Sequence, residues 1–445
     1  MKILLLQTKS RKKGFVNKDV SGGMGTVSHF GDSFMARILT FLKKEGINYP
    51  VLAMGYLAGI LKQRGHVVSV VSDTLLPEET DLVIIYSSIV DFKNEIEYAR
   101  RIKEQISTKI CVVGPFATVK PEIYLPHVDF VIKGEPEAFF MDFDLQSSFP
   151  KGIVEVGIVE NLDSLPFPDW RVFPLDSFKY KPYFMFSKGK RFFPIISSRG
   201  CTFSCANYCP YPITAGKKWR DRSPDNVVDE IELLVKELNA CLLLFRDPIF
   251  TINKERVSLI AREIMKRKID VHYVCETHLN CLDETLIDLL YDSGLRAIKV
   301  GIESANKTAL SNTGRKPINA EHQERILRYC DKKRIAVTAF YILGLPDDTE
   351  QSILETIEYA KKLNTIGAQF TISTPYPGTP FFENMDTEGL ITDYDFEHYD
   401  IHTPVYKHKN LSKDQLIKLK GKAYNSYYFR LKWITKFIRT KVFAS

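Results

Sequence analysis

Three cysteines lie within nine residues of one another, and their spacing could support metal chemistry. Cys201, Cys205 and Cys209 fall in the segment Ser198–Pro210, which reads SRGCTFSCANYCP. Cysteines this close together in a reducing compartment indicate a metal site rather than disulfides. Three thiolates can hold three irons of a [4Fe–4S] cluster, and the fourth iron is then open, since such clusters otherwise take four protein ligands. An open iron can bind a small molecule, which is a catalytic arrangement.

Two simpler interpretations of this cysteine cluster are a structural zinc site and chance. Zinc usually takes four ligands in paired spacing, and no second close pair of cysteines occurs. His272 and His278 are the side chains that could complete such a site. The spacing favours iron–sulfur over zinc. The other cysteines are expected to be core residues or to have no ligand role: Cys111, Cys241, Cys275, Cys281 and Cys330.

The element that must position the cysteines is a barrel. Six strand-like segments alternate with helical ones between residues 190 and 385, which predicts a (β/α)6-type partial TIM barrel. The cysteine segment follows the first of these strands and therefore lies on a βα loop, where barrel enzymes place their chemistry. The six predicted strands are Phe193–Ile196, Leu242–Phe245, Val271–Cys275, Ala297–Gly301, Val337–Leu343 and Ala368–Ser373.

Residues 1–145 show the same alternation and predict an α/β domain with a Rossmann-like parallel sheet. Ligands of such sheets bind beyond the carboxyl ends of the strands, here the loops Ser87–Asp91, Gly114–Thr118 and Gly134–Pro136. The segment Lys9–Gly46 after the first strand is unusually long, which indicates a functional or flexible loop. A linker is expected over 146–189, and a basic helical C-terminal extension over 386–445.

Composition excludes several classes of protein. With 44% hydrophobic and 26% charged residues the chain can bury sizeable cores. It has no run of about 20 apolar residues that could span a bilayer and no signal-peptide pattern, so a cytoplasmic location is expected. The net charge of +7 comes from the tail, because Lys407 onward carries eleven Lys/Arg against Asp414 alone.

The tail interleaves basic and aromatic residues on a predicted helix over Leu411–Phe443. Such a segment is compatible with peripheral contact to an anionic membrane surface or with an acidic substrate. A helical cap with a solvated basic face is the simpler interpretation. No nucleic-acid partner is expected.

The cysteine loop resembles that of radical S-adenosylmethionine (SAM) enzymes, whose hallmark is CxxxCxxC with an aromatic residue before the third cysteine. Tyr208 fills the aromatic position, while one extra residue gives CxxxCxxxC. Further resemblances follow in the family's order up to Pro380: Glu230-Ile231 with Phe245–Phe250, Gly301–Ser304, Gly344–Thr349 and Tyr376–Pro380. The resemblance implies SAM contacts at Tyr208, Asp247, Glu276, Glu303, Ser304 and Gly344. From the residues alone, Glu303 would be a carboxylate near a helix start.

The N-terminal domain, with the linker Leu165–Trp170 (LPFPDW), resembles the cobalamin (B12)-binding class of radical SAM proteins. The resemblance implies cobalamin contacts at Ser87, Ser88, Asp91, Gly114, Pro115, Thr118, Gly134 and Glu135. No DxHxxG motif occurs, so we expect no histidine ligand on the lower face of cobalt. The alternative is a purely structural α/β domain.

The resemblance implies a cobalamin-dependent radical SAM enzyme. Reductive cleavage of SAM at the cluster would give a 5′-deoxyadenosyl radical that abstracts substrate hydrogen, and methylcobalamin would then donate a methyl group to carbon. The expected partners are a small-molecule or lipid-like substrate and an electron donor such as flavodoxin or ferredoxin. The alternatives are radical chemistry without methyl transfer (cyclisation, rearrangement or methylthiolation) and a non-catalytic cobalamin or cluster sensor.

Overall fold

The computed structural model describes residues 1–12, 14–46, 50–72, 79–144, 148–178, 191–203 and 205–442. In the N-terminal part the strands are β1 Lys2–Leu6, β2 Phe15–Asn17, β3 Thr26–Ser28, β4 Val67–Val71, β5 Leu82–Tyr86, β6 Lys109–Val113, β7 Phe130–Lys133 and β8 Gly152–Glu155. The helices of this part are α1 Phe34–Gly46, α2 Leu52–Gln63, α3 Phe92–Gln105, α4 Pro115–Val119 and α5 Pro136–Asp142.

In the C-terminal part the strands are β9 Arg191–Ile195, β10 Ser198–Arg199, β11 Arg220–Asp221, β12 Ala240–Phe245, β13 His272–Thr277, β14 Leu295–Glu303, β15 Ala336–Leu343 and β16 Gly367–Ile372. The helices are α6 Tyr211–Thr214, α7 Pro224–Leu238, α8 Lys254–Lys266, α9 Glu284–Asp292, α10 Lys307–Asn312, α11 Ala320–Lys332, α12 Glu350–Leu363, α13 Pro380–Thr387, α14 Lys413–Tyr428 and α15 Leu431–Val442.

The N-terminal sheet is a six-stranded parallel sheet in the order β4-β1-β5-β6-β7-β8. Its central strand β5 is the apolar run LVIIY and is buried throughout, as expected where both faces of a parallel sheet are covered. Strand β8 pairs with β7, so the sheet continues past the boundary predicted at residue 145 into the segment expected to be a linker. Residues 145–147 and 179–190 of that region lie outside the described residues.

The second sheet is also parallel and runs β16-β15-β14-β13-β12-β9. Its strands follow one another in chain order and are separated by helices, so the predicted six-stranded partial barrel is confirmed. Local sequence explains where the helices begin. Helix α7 has Ser223 as its N-cap and Pro224 in its first turn, and α12 has a capping box formed by Thr349 and Ser352.

Strand β16 is an edge of the barrel, and the C-terminal helix α14 covers it. Three tyrosine side chains of α14 bond the backbone of this edge. The hydroxyls of Tyr424 and Tyr428 each pair with both the N–H and the carbonyl of one residue there, and Tyr427 donates to the Thr365 carbonyl at 2.6 Å. Edge backbone groups that would otherwise be open to another chain are therefore satisfied.

The long segment after β1 is ordered over most of its described length. It forms the β2–β3 hairpin and the thirteen-residue helix α1. Among the helices of the described residues, none has the length and apolarity that crossing a bilayer would require.

Candidate active site

The cysteine loop leaves the barrel directly after β9. A short antiparallel ladder between β10 and β11 closes the loop, with Arg199 opposite Arg220. Gly200 has φ of +84°, and a Cβ there would lie 2.0 Å from the Lys218 carbonyl oxygen, so only glycine fits this position. Inside the loop the Cys209 N–H donates to the Cys205 carbonyl at 3.2 Å. The sequence thus folds the loop back on itself and brings the three cysteines to one end of the barrel.

Burial raises the pKa of two thiols of this loop. Cys201 is 8% exposed, and burial raises its pKa. Burial also raises the pKa of Cys209 to about 12. Metal ligation requires thiolates, so binding would displace protons from these groups.

Arg315 is a basic side chain beside the loop. Its Nη1 lies 3.3 Å from Glu303 Oε1 and 4.0 Å from Cys205 Sγ, and its Nη2 donates to the Gly301 carbonyl at 2.7 Å. Glu303 is buried and adopts a left-handed φ of +66°, an uncommon conformation for a non-glycine residue. Burial raises the pKa of Glu303, although Arg315 opposes the shift. The site therefore places a buried carboxylate and a fixed cation beside the cysteine thiols.

Tyr208 completes this side of the site. Its hydroxyl is buried beside the Arg315 guanidinium. Burial and the nearby charge of Glu303 raise the pKa of Tyr208, although Arg315 opposes the shift.

The chemistry of the donor set fits a [4Fe–4S] cluster. Among the described residues, no three His, Cys, Asp or Glu side chains converge on one metal-ion position. An iron–sulfur cluster takes each thiolate on a different iron and does not need that convergence. The two histidines considered for zinc lie at opposite ends of β13. His278 packs against Phe203 with ring centroids 4.8 Å apart, whereas His272 begins the strand.

Glu276 lies in the barrel interior among charged neighbours. Its Oε1 is 3.3 Å from Lys299 Nζ and 3.5 Å from Arg246 Nη1. Burial alone would raise the pKa of Glu276, but Lys299 and Arg246 outweigh burial and lower it. A charged carboxylate is thus held at the carboxyl end of β13, within the region predicted for SAM.

The other three residues predicted to contact SAM have contacts within the protein. Asp247 is fully buried and accepts hydrogen bonds from the Ser197 and Ser198 hydroxyls at 2.7 and 2.6 Å, which positions the start of the cysteine loop. The Ser304 hydroxyl bonds Thr356 and the Asn306 N–H. Gly344 has φ of +77° and lies against α14, where a Cβ would be 2.7 Å from Leu416. These contacts position the three residues, and their contacts with SAM remain predictions.

A cavity of about 150 Å³ lies between the two sheets. Its walls come from the carboxyl ends of β6 and β7 on one side and from the cysteine-loop region of the barrel on the other. Residues 19–23 of the long N-terminal segment and helix α2 complete it. Predicted cobalamin contacts that line this cavity are Gly114, Pro115, Thr118, Gly134 and Glu135, and they face Ile196, Arg199, Tyr211, Thr214, Ala215 and Arg246 of the barrel.

The profile of the radical SAM superfamily matches residues 195–360, which span β9 through most of α12. The matched residues form a radical SAM domain. The cysteine loop and the partial barrel lie in this domain, as the resemblance in the sequence indicated.

Similar proteins align with this chain over most of its length. An uncharacterised methyltransferase from Pyrococcus horikoshii is 28% identical over 88% of this chain and 90% of its own length. The anaerobic magnesium-protoporphyrin IX monomethyl ester cyclase of Rubrivivax gelatinosus is 24% identical over 86% of this chain and 74% of its own length. The structure of the radical SAM methyltransferase TsrM from Kitasatospora setae shares the fold, with a TM-score of 0.61, 17% identity, and coverage of 87% of this chain and 76% of TsrM.

An ion-pair network at the cavity joins the two sheets. Glu135, at the end of β7, pairs with Arg220 at 2.5 Å and with Arg199 at 3.3 Å. Arg199 also pairs with Glu137 at 2.8 Å. All four side chains are buried, so the network fixes the base of the cysteine loop onto the N-terminal sheet. Glu135 is the one residue of this network that the sequence analysis predicted as a site residue. Its partners Arg199 and Arg220 are more than sixty residues away in the chain.

Three other predicted cobalamin contacts do not line the cavity. The Ser87 hydroxyl accepts a hydrogen bond from the Ala117 N–H at 2.9 Å. Ser88 donates to Glu95 through both its N–H and its hydroxyl. Asp91 accepts a hydrogen bond from Thr8 and lies 3.3 Å from Lys18 Nζ. These groups are buried and bonded within the N-terminal domain, and their contact with cobalamin remains a prediction.

Proposed function

We propose that this protein is a cobalamin-dependent radical SAM enzyme that methylates a substrate carbon. The observation that carries the proposal is the cavity where the carboxyl ends of two parallel sheets face each other. Ligands of parallel α/β sheets bind at such edges. One edge carries the cysteine loop and the other carries Gly114 and Gly134. Two cofactors could therefore meet a single substrate at one place.

Cys201, Cys205 and Cys209 would hold the [4Fe–4S] cluster. When bound, the cluster and SAM would supply a carbon-centred radical, and cobalamin would supply a methyl group. SAM would contact Glu303, Tyr208 and Glu276. Glu303 and Tyr208 place buried polar groups beside the cysteine loop, and Glu276 places a charged carboxylate at the carboxyl end of β13. Arg315 would hold the Glu303 carboxylate in its charged form and provide a fixed positive charge beside Cys205.

Cobalamin would bind between the sheets, along Gly114, Pro115, Thr118, Gly134 and Glu135. The cavity of about 150 Å³ is smaller than the roughly 300–1,000 Å³ of ordinary small-molecule sites, and cobalamin is larger than such ligands. Asp19, Gly22 and Gly23 occupy one wall, so this segment would move when cobalamin binds. Among the described residues that line the cavity none is histidine.

The substrate would be a small molecule or lipid-like compound that reaches the cavity from the barrel side. An electron donor such as flavodoxin or ferredoxin would reduce the cluster. We infer a cytoplasmic location, where free thiols persist in the reduced form.

Product analysis tests this proposal. The anaerobic, cobalamin-loaded protein is reduced with dithionite in the presence of SAM, and 5′-deoxyadenosine and S-adenosylhomocysteine are quantified. Radical cleavage gives the first product and methyl transfer from SAM gives the second. We expect both, and we expect omission of cobalamin to abolish S-adenosylhomocysteine while 5′-deoxyadenosine remains. Failure to form S-adenosylhomocysteine with cobalamin bound would contradict methyl transfer.

Radical cyclisation without methyl transfer is the second candidate. The similarity to the Rubrivivax gelatinosus cyclase over 86% of this chain favours it. The same experiment separates the two functions, because a cyclase would give 5′-deoxyadenosine alone.

A further inference from the structure

Helix α1 exposes an apolar face. Phe34, Ile38 and Phe41 are spaced four and three residues apart and therefore lie on one side of the helix. Their exposed fractions are 62%, 37% and 61%. The apolar face of an amphipathic helix normally packs into a core, so three large exposed side chains in a row need an explanation.

Helix α15 exposes a second apolar face. Leu431, Ile434 and Ile438 are 80%, 37% and 55% exposed. The opposite side of the helix holds it to the body of the protein, where Trp433 Nε1 donates to the Ile366 carbonyl at 3.0 Å and Lys436 pairs with Asp331 at 2.8 Å. The helix is thus anchored by its aromatic side and presents its aliphatic side outward.

The two faces are continuous. The rings of Phe34 and Phe429 stack with centroids 5.6 Å apart, and Phe429 lies between α14 and α15. The Met35 N–H donates to Asn425 Oδ1 of α14 at 3.2 Å. We call the joined faces of α1 and α15 the α1–α15 surface. An exposed apolar surface of this extent marks an interaction site.

Positive charge borders the α1–α15 surface. A cavity of about 290 Å³ between the start of α1 and α14 is lined by Lys418, Lys420 and Lys422, with Asp32 as its acidic residue. Asp32 lies 3.8 Å from Arg37, which offsets its charge. Lys432 and Arg439 of α15 add further positive charge beside Leu431 and Ile438.

We propose that the α1–α15 surface docks on an anionic phospholipid bilayer. The apolar side chains would enter the boundary between headgroups and acyl chains, and the exposed Lys418, Lys422 and Lys432 would pair with lipid phosphates. Lys420 is buried and donates to the His402 carbonyl, so it would stay in the protein. Amphipathic helices with large apolar residues and Lys/Arg lie in the membrane interface in this way. The combination of apolar and cationic residues favours a membrane over an apolar protein partner, whose surface would not match the charge. The proposal does not depend on the proposed reaction.

Vesicle flotation with the full chain tests the proposal. Vesicles of pure phosphatidylcholine are compared with vesicles that contain about 30 mol% phosphatidylglycerol, which imitate an anionic leaflet. We expect strong binding to the anionic vesicles and roughly tenfold weaker binding to the neutral ones. Binding should fall further at high salt, because salt screens exposed charges.

Two double variants probe the two components of binding. Phe34→Ser/Phe41→Ser removes apolar contacts, and Lys432→Glu/Arg439→Glu reverses charge. Each is expected to lower binding at least about tenfold. Leu259→Ser/Arg262→Glu on α8 is the matched control, since Leu259 is 46% exposed and Arg262 is exposed on the outside of the barrel. It should bind as the unmodified chain does.

Several outcomes would overturn the proposal. One is equal recovery with neutral and anionic vesicles, and another is full binding by the two double variants. A third is a stable dimer in sedimentation that the same variants dissociate, because the surface would then pair with a second copy. If a double variant misfolds, Ile438→Ser alone provides the comparison, with thermal unfolding measured in parallel.

Discussion

The guanidinium of Arg315 lies 4.0 Å from the sulfur of Cys205, across 110 residues of sequence. The same group lies 3.3 Å from the buried carboxylate of Glu303. A cation in this position holds the carboxylate in place and sets the electrostatic surroundings of the cysteine loop.

Replacing Arg315 with Gln should destabilise the protein by about 3–5 kcal/mol, because the buried Glu303 charge then has no cation. The rate of 5′-deoxyadenosine formation should fall at least about tenfold, while Arg315→Lys should retain more of both properties. Denaturant unfolding and product quantification provide the measurements. Arg325→Gln on α11 is the control. A Gln variant at position 315 that is as stable and active as this control would refute the role assigned to Arg315.

Gly200→Ala should prevent assembly of the cysteine loop. The added Cβ would lie 2.0 Å from the Lys218 carbonyl oxygen, so the loop must shift and iron content after reconstitution should drop severalfold. Gly65→Ala is a matched control, since Gly65 has φ of +82° with nothing within 4 Å. This variant should lose about 1–2 kcal/mol of stability, because alanine is strained in the left-handed backbone conformation, and it should retain iron. Equal iron content in the two variants would count against this account.

The ion pairs of Glu135 predict a pH-dependent contribution to stability. Burial would raise the pKa of Glu135, but Arg220 and Arg199 outweigh burial and lower it below its ordinary value of 4.5. A carboxyl with a lowered pKa stabilises the folded state above the unfolded-state pKa, and that stabilisation is lost as the pH falls through the folded-state pKa.

Glu135→Gln should therefore lower the free energy of unfolding by about 3–5 kcal/mol at neutral pH. The difference from the unmodified protein should shrink as the pH falls below about 4.5, when Glu135 of the unfolded chain takes up a proton. Urea unfolding at several pH values measures it, with the exposed Glu104→Gln as control. A difference that stays constant from pH 7 to pH 3 would show that the carboxylate charge is not responsible.

Cobalamin binding should expose the segment around Lys18 to trypsin. Lys18 is 11% exposed in its side chain and lies 3.3 Å from Asp91, and the following residues 19–23 help to wall the small cavity. Cleavage after Lys18 should accelerate when cobalamin is added, while cleavage at the exposed Lys409 should not change. Tight cobalamin binding with unaltered cleavage at Lys18 would mean that the segment does not move.

The sequence predicted the strands and helices that depend on the pattern of neighbouring residues. The predicted strand Val337–Leu343 agrees with β15 within one residue, and the predicted strand Leu242–Phe245 ends where β12 ends, because burial selects such apolar runs. Contacts between distant residues were not predictable. Asp247 accepts hydrogen bonds from Ser197 and Ser198, which lie about fifty residues earlier in the chain. Arg315 was missed for the same reason.

The segment before α2 illustrates a second limit. Residues of helix α1 were interpreted as part of a long loop. The helix has a clear apolar period, yet Phe34 and Phe41 face outward rather than into a core. Periodicity predicts a helix and one apolar side, but it does not indicate what covers that side.

The most direct test of the central claim is metal analysis of the protein purified and reconstituted without oxygen. Iron, cobalt and 5′-deoxyadenosine are quantified after addition of cobalamin, dithionite and SAM, with a variant in which Cys201, Cys205 and Cys209 are all alanine as control. We predict about four irons per chain, bound cobalt, and 5′-deoxyadenosine that the variant does not form. Zinc in place of iron, with SAM left intact, would contradict the assignment of the cysteine loop as a radical SAM site.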